Sequence, residues 1–123
     1  MHPSPQFDKL PKSSLVEIPC NWYEEDATPL QFYPHTANSA GYVDVRLMER
    51  MWKDRIEWLR SEIEDGDDDM KIFALILHPD TSGMAHIIGM IERFLKWLLA
   101  LEDGVMEFVR YEDLAEQFKQ KVA

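Results

Sequence analysis

A single histidine, His78, directly follows the apolar run KIFALIL at residues 71–77. A run without polar alternation is typical of a strand covered on both faces, as in parallel sheets. Because ligands collect at the carboxyl ends of such strands, we expect His78 on the site-bearing side of the fold. An imidazole there can act as a general acid or base near neutral pH. The alternative is a plain turn, in which His78 only ends the strand and hydrogen-bonds to the loop.

The residues after His78 favour a site at this position. Thr81 and Ser82 supply hydroxyl groups, and Gly83 lets the backbone turn tightly. A helix predicted to start at Ser82 would also turn its free N–H groups toward this loop, where they favour negative charge.

Other polar residues are weaker candidates. His86 follows His78 by eight residues, which matches no common metal-ligand spacing, and we expect it on a helix surface. His35 lies in an aromatic-rich loop, where it could face a site or solvent. The acidic run Glu24–Asp26 could line a cleft, although acidic triplets in loops are usually solvated. The run DGDDD at 65–69 lacks the glutamate that ends a calcium loop, so we interpret it as a solvated turn.

The elements that would position these residues predict an α/β fold. Short strands at 14–18, 71–77 and 105–109 alternate with helices at about 44–64, 82–101 and 111–122. Strands alternating with helices at this spacing indicate βαβ units and a parallel sheet. Asp44 can cap the first helix. Each helix is expected to turn one apolar face inward. The face of the first helix contains Val45, Met48, Met51, Trp52, Ile56, Trp58, Leu59 and Ile63. The second contributes Ile87, Ile88, Ile91, Leu95, Leu98 and Leu99, and the third contributes Leu114, Phe118 and Val122.

Composition limits the organisation and the partners. A chain of 123 residues suits one domain, here predicted at 14–123 behind a flexible lead-in at 1–13. The net charge of −10 disfavours binding to nucleic acid or to an anionic membrane. The only cysteine, Cys20, cannot form an internal disulfide, and no stretch reads as a signal peptide or a membrane span. The expected location is therefore the cytoplasm.

Three stretches together resemble the C-terminal part of the polysaccharide deacetylase (NodB-like) family. They are LILHPDTSGMAHIIGMIERFLKWLLAL at 75–101, VMEFVRYEDLAEQF at 105–118 and LVEIPCNWYEEDATP at 15–29. The last of these is similar to the intracellular branch, which includes peptidoglycan deacetylase-like and allantoinase-like amide hydrolases. The resemblance covers roughly residues 14–120.

The resemblance implies a fold and a reaction. The fold would be a partial (β/α) barrel-like parallel sheet of about three strands with three helices. The reaction would be hydrolysis of a non-peptide carbon–nitrogen bond, typically in the N-acetyl group of a sugar. His78 matches the family's general acid, and Trp22, Tyr23 and Asp26 match a segment that walls the substrate pocket.

The chain also departs from the family pattern. The family's Thr-Phe-Asp-Asp and His-x-x-x-His stretches, which supply the base and the ligands of a divalent metal such as zinc, do not occur in it, nor does the supporting Arg-Pro stretch. Met84-Ala85 stands where Arg-Pro usually follows Ser-Gly. We therefore expect no metal ligand and no cofactor in this chain. A general acid alone supplies only about 10²–10⁴-fold, so the chain by itself is predicted to be inactive.

Partners follow from the missing half of the barrel. Unpaired strand edges would favour self-association or a chain carrying the N-terminal half, and the ligand would be a carbohydrate or a small amide. Two other hypotheses remain open. The first is a non-catalytic carbohydrate- or protein-binding module derived from the same fold. The second is an acidic α/β interaction protein that shares only the architecture.

Overall fold

The computed structural model describes residues 13–36, 41–101 and 104–123, and helices supply the regular structure there. The helices are α1 (Ala27–Leu30), α2 (Val45–Glu64), α3 (Pro79–Ser82), α4 (Ile88–Leu99) and α5 (Tyr111–Val122), and a 3₁₀ turn spans Trp22–Glu24. The chain divides into two compact units. One unit is Pro19–Phe108, which holds every candidate site residue, and the other joins the residues up to Ile18 with Val109–Ala123.

Helix α2 has the predicted bounds. The Asp44 carboxylate accepts the Arg46 backbone N–H at 2.9 Å, as expected of an N-cap. The Arg46 guanidinium also donates to this carboxylate, which lowers the pKa of Asp44 to about 2. The predicted inward side chains Met48, Trp52 and Ile56 are buried. The prediction was wrong for Trp58, which is 67% exposed because it lies off that stripe.

The helix predicted over 82–101 is shorter than expected. Ser82 instead ends α3, residues 83–87 form turns, and α4 begins only at Ile88. Gly83 ends α3 with its N–H donated to the Pro79 carbonyl at 3.0 Å. A Cβ at Gly83 would lie 2.6 Å from that carbonyl oxygen, so this close turn requires glycine.

The core of the larger unit lies between α2 and α4. The Trp52 and Phe94 rings meet with their centroids 5.3 Å apart, and Phe73 and Trp97 also contact Phe94. Tilted aromatic pairs of this kind add specific attraction to the burial of apolar area. The buried apolar side chains of this core are Leu30, Met48, Trp52, Ile56, Ile87, Met90, Ile91, Phe94 and Leu98.

The inward face of α4 was predicted only in part. Ile87, Ile91 and Leu98 are buried, as expected, and Leu95 is partly buried. Ile88 and Leu99 were placed inward but are exposed, because the buried stripe runs instead through Met90 and Phe94. Those two positions keep the steps of three and four from Ile87 that define one helical face.

The predicted α/β fold with a three-stranded parallel sheet is wrong. Among the described residues the pairing is limited to one parallel bridge, between Glu25 and Ile76. The residues 14–18, 71–77 and 105–109 form no strand. An apolar run becomes a strand only when a neighbour supplies a full ladder of backbone hydrogen bonds. Here Ala74 and Ile76 donate their N–H groups to Glu24, which is too little for a sheet or a barrel.

The smaller unit contains α5, whose bounds match the prediction. Leu114 is buried, but Phe118 and Val122 are 42% and 62% exposed, so the expected inward line of three is not formed. The lead-in predicted at 1–13 lies almost wholly outside the described residues, and the domain bounds stay a prediction.

In the described ranges, no helix is both long and apolar enough to cross a membrane.

Candidate acid–base site

A buried carboxylate, Asp26, organises the site. It has no exposed surface and lies just before α1. Its Oδ2 accepts the His78 backbone N–H at 2.9 Å and the Ser82 hydroxyl at 2.5 Å. Its Oδ1 lies 2.6 Å from His78 Nδ1. Asp26 thereby joins two segments that lie more than fifty residues apart in the sequence.

The short helix α3 presents the partners of Asp26. His78 is its N-cap, in extended conformation, and Pro79 occupies the first helical position, which proline's fixed φ favours. Ser82 follows His78 by four residues, so both lie on one side of the turn. Thr81 is fully buried, and its Oγ1 has no hydrogen-bond partner in the part of the chain that the structure describes.

Glu25 holds the segment that carries Asp26, the aspartate of the Asp26–His78 pair (the dyad). Its two carboxylate oxygens accept the backbone N–H groups of Ala27 and Thr28 at 2.9 and 2.8 Å. This arrangement caps α1 and holds Glu25 buried, with 6% of its surface exposed. The same residue forms the parallel bridge to Ile76, two residues before His78.

The environment of His78 favours its protonated form. The hydrogen bond to Asp26 has the largest effect and raises the pKa of the imidazole. Burial lowers this pKa by less, and the charges of Asp26, Glu25 and Asp80 raise it further. The side chain is 46% exposed, so it remains accessible to a ligand. Because Nδ1 faces Asp26, Nε2 is the ring nitrogen that can exchange a proton with a substrate.

Ser82 is not arranged as a nucleophile. In a serine hydrolase the imidazole that takes the hydroxyl proton is itself hydrogen-bonded to that hydroxyl. Here the Ser82 hydroxyl donates to Asp26. The geometry therefore supports a histidine–aspartate pair that moves protons, with Ser82 holding the aspartate in place.

A metal ion does not fit this cluster. Ligand atoms of Glu25, Asp26 and His78 lie within 4.8 Å of one another. Both Glu25 oxygens, however, are hydrogen-bonded to the α1 backbone, and both Asp26 oxygens are occupied by His78 and Ser82. A metal would have to displace these bonds, which already satisfy the buried carboxylates.

The structure brings together some of the predicted site residues. His78 and Asp26 are in direct contact, whereas Asp26 was expected in a pocket wall. Trp22 and Tyr23, expected in the same wall, are 68% and 65% exposed. The catalytic and substrate-binding roles assigned to these four residues remain predictions. His35 and His86 are exposed, and the latter was expected on the surface.

The interpretation of Glu24–Asp26 as a solvated triplet was wrong. The three side chains are 4%, 6% and 0% exposed. The distant partners of Glu24 and Asp26, which are Arg55 and His78, leave no trace in the local sequence. Ser82 was named only as a loop hydroxyl. Its spacing of four residues from His78 is the signal that could have predicted a partner shared by the two residues.

Comparison with known proteins supports a relationship to the polysaccharide deacetylase family. The chain is 51% identical over 119 residues to a peptidoglycan deacetylase-like protein of Gibberella zeae, covering 96% of this chain and 34% of that protein. It is 31% identical over 110 residues to a peptidoglycan deacetylase of Helicobacter pylori, covering 89% of this chain and 35% of that protein. The chain thus spans about a third of the length of these curated relatives. No family model matches it.

Proposed function

We propose that this chain supplies the proton-donating part of a polysaccharide deacetylase-like amide hydrolase, with His78 as the general acid. The observation that carries the proposal is the contact between His78 Nδ1 and the fully buried Asp26 carboxylate, at 2.6 Å. The names of the two relatives support an N-acetylated carbohydrate of the peptidoglycan type as the substrate.

In this mechanism His78 acts when the carbon–nitrogen bond breaks. Water adds to the amide carbonyl, and Nε2 then gives its proton to the departing nitrogen, which leaves as an amine. Asp26 accepts the Nδ1–H throughout, so it orients the ring and stabilises the imidazolium. A positioned general acid contributes about 10²–10⁴-fold. Activation of the water requires groups that this chain does not contain, since the family's base and metal-ligand stretches are absent from its sequence.

The partner that we propose is the remainder of such a domain, on the same or another polypeptide. The apolar segment 71–77 has a single bridge among the described residues, so most of its backbone could still pair with a neighbouring strand. Large apolar side chains are also exposed on the larger unit, including Leu47, Trp58, Ile88 and Leu99. Such exposed apolar side chains support the proposal that this unit binds a partner.

A complementation assay tests this proposal. The chain would be mixed with the part of the Gibberella zeae relative that it does not match, and acetate release from N-acetylated peptidoglycan oligosaccharides would be followed with zinc present. We expect turnover from the mixture, little from the chain alone, and a loss of about 10²-fold or more in His78→Ala.

Two results would contradict the proposal. One is efficient zinc-dependent turnover by the chain alone. The other is a mixture that forms a stable complex by sedimentation and turns over equally well with His78→Ala. The matched control is His86→Ala, since His86 is an exposed histidine outside the dyad, and it should leave turnover unchanged.

A second candidate function is non-catalytic carbohydrate binding, and the exposed aromatic side chains favour it. Five of them lie close together in the sequence: Trp22, Tyr23, Phe32, Tyr33 and Tyr42. Tyr42 is 92% exposed and has a φ of 55°, a strained conformation for a bulky residue, and its ring lies 5.8 Å from that of Phe32. Loss of oligosaccharide binding in Trp22→Ala or Tyr33→Ala, with His78→Ala harmless, would favour this function over catalysis.

A further inference from the structure

Glu24 is a buried carboxylate that touches neither His78 nor Asp26. One oxygen accepts the Arg55 guanidinium at 2.6 Å, and the other accepts the Ala74 backbone N–H at 3.1 Å. Its backbone carbonyl accepts the Ile76 N–H at 2.9 Å. With 4% of its surface exposed, Glu24 therefore ties the 22–26 segment to α2 on one side and to the 74–78 segment on the other.

The α2 side of this junction is anchored in the core. Trp52, fully buried in the α2–α4 core, donates its indole N–H to the Tyr23 carbonyl at 3.0 Å. Arg55 follows Trp52 by three residues and so lies on the same face of the helix. The Arg55 guanidinium also lies 5.9 Å from the centre of the Tyr23 ring. Two consecutive residues, Tyr23 and Glu24, are thus held by one turn of a helix that is anchored in the core.

The hydrogen bond between Glu24 and Ile76 lies two residues before each member of the dyad. Asp26 follows Glu24 by two residues, and His78 follows Ile76 by two residues. The hydrogen bond between Glu24 and Ile76 therefore sets the alignment in which the Asp26 carboxylate reaches the His78 ring. A slip or tilt of one segment against the other would separate Oδ1 from Nδ1.

We propose that Glu24, held by Arg55, is a positioning residue for the Asp26–His78 pair. The inference rests on the proposed role of His78 as a proton donor, but it concerns the geometry of the pair and holds whatever the substrate. A buried charge of this kind is costly unless fully partnered, and Glu24 meets that condition with one cation and one backbone amide.

The test is the titration of the His78 ring in Glu24→Gln, measured by NMR on the full chain. Glutamine keeps the size of glutamate but has one accepting oxygen, so it cannot serve Arg55 and Ala74 together. The carboxylates that raise the pKa of His78 are those of Asp26, Glu25 and Asp80. We expect Glu24→Gln to lower the pKa of His78 toward its ordinary value, through a displaced Asp26, and to speed hydrogen exchange at the Ala74 amide.

The matched control is Glu49→Gln. Glu49 lies on α2, and its side chain is also mostly buried, with 13% exposed. It pairs with Lys53 and Arg93 at 2.9 Å each. Its loss removes the same charge and comparable ion pairs but leaves the 22–26 segment untouched. We expect the pKa of His78 in Glu49→Gln to equal that of the wild type.

An unchanged pKa of His78 in folded Glu24→Gln, or an equal shift in Glu49→Gln, would overturn the proposal. If Glu24→Gln does not fold, Trp52→Phe loosens the same junction while keeping an aromatic ring in the core. That variant should lower the pKa of His78 to a smaller extent, and no change would overturn the proposal equally. Because the titration needs no turnover, its result does not depend on the outcome of the deacetylase assay.

Discussion

Two runs of three acidic residues lie in the larger unit, and the structure treats them in opposite ways. Glu24, Glu25 and Asp26 are buried, whereas 67–69 form part of a largely exposed turn after α2. Glu24 and Asp26 have partners far away in sequence, such as Arg55 and His78. Glu25 instead accepts backbone N–H groups of the adjacent helix α1. In the second run, Asp67 pairs with the nearby Lys71 and accepts the Asp69 N–H.

The difference shows what allows an acidic run to be buried. A carboxylate can be buried only where other groups replace its water, and distant segments supply them only once the core has formed. The 67–69 turn is largely exposed, so water reaches its carboxylates directly. Burial of the first run is therefore a property of the tertiary structure, and substitutions should separate the two runs clearly.

The largest expected effect is that of Asp26→Ala. Loss of this carboxylate leaves the His78 N–H and the Ser82 hydroxyl without their acceptor, and each unsatisfied buried group costs about 1–3 kcal/mol. We expect the free energy of unfolding to fall by about 2–3 kcal/mol. Urea unfolding followed by tryptophan fluorescence would measure it. Asp68→Ala in the exposed turn is the counterpart and should change stability by less than about 0.5 kcal/mol. Equal losses would contradict the comparison.

Glu25→Ala should have an intermediate effect. It removes the cap of α1, and the loss of such a cap typically costs about 1 kcal/mol. Asp67→Ala removes a carboxylate that also accepts a backbone N–H, but in an exposed turn. Its expected cost is below about 0.5 kcal/mol, measured in the same urea experiment. A larger loss in Asp67→Ala than in Glu25→Ala would reverse the ranking of the two runs.

Thr81→Val tests the buried hydroxyl group of Thr81, which lies next to Ser82 on α3. The Thr81 hydroxyl is buried and has no partner among the described residues, so a methyl group of the same shape should leave stability equal or raise it by up to about 1 kcal/mol. Thr81→Ser is the matched variant. It keeps the hydroxyl, loses one methyl, and should lower stability by about 1 kcal/mol. A marked loss in Thr81→Val would mean that the hydroxyl has a partner.

The pH dependence of stability should carry the smallest signal. The pKa of His78 is raised in the folded chain, so its contribution is fully present below the ordinary value of about 6.5 and is lost as pH rises through the raised value. We expect the stability difference between wild type and His78→Gln to be larger at about pH 5.5 than at about pH 9. A difference that stays constant across this range would contradict the assignment.

The helices could be predicted more reliably than the site. The bounds of α2 and α5 follow from local periodicity and from the Asp44 cap, which act within a few residues. The lack of strands in the described ranges could not be predicted from composition, since 71–77 is apolar but forms only one bridge there. His78 could be singled out by its place after that run. Its partner could not, because Asp26 lies 52 residues away and only the folded core brings the two together.

The most direct test of the central claim is the NMR titration of the His78 ring in the wild type and in Asp26→Asn. Asparagine keeps the shape of the side chain but removes the charge that holds the Nδ1–H. The account predicts a raised pKa for His78 in the wild type and a return toward about 6.5 in Asp26→Asn. A wild-type His78 that titrates at or below the ordinary value, or one that Asp26→Asn leaves unchanged, would contradict it.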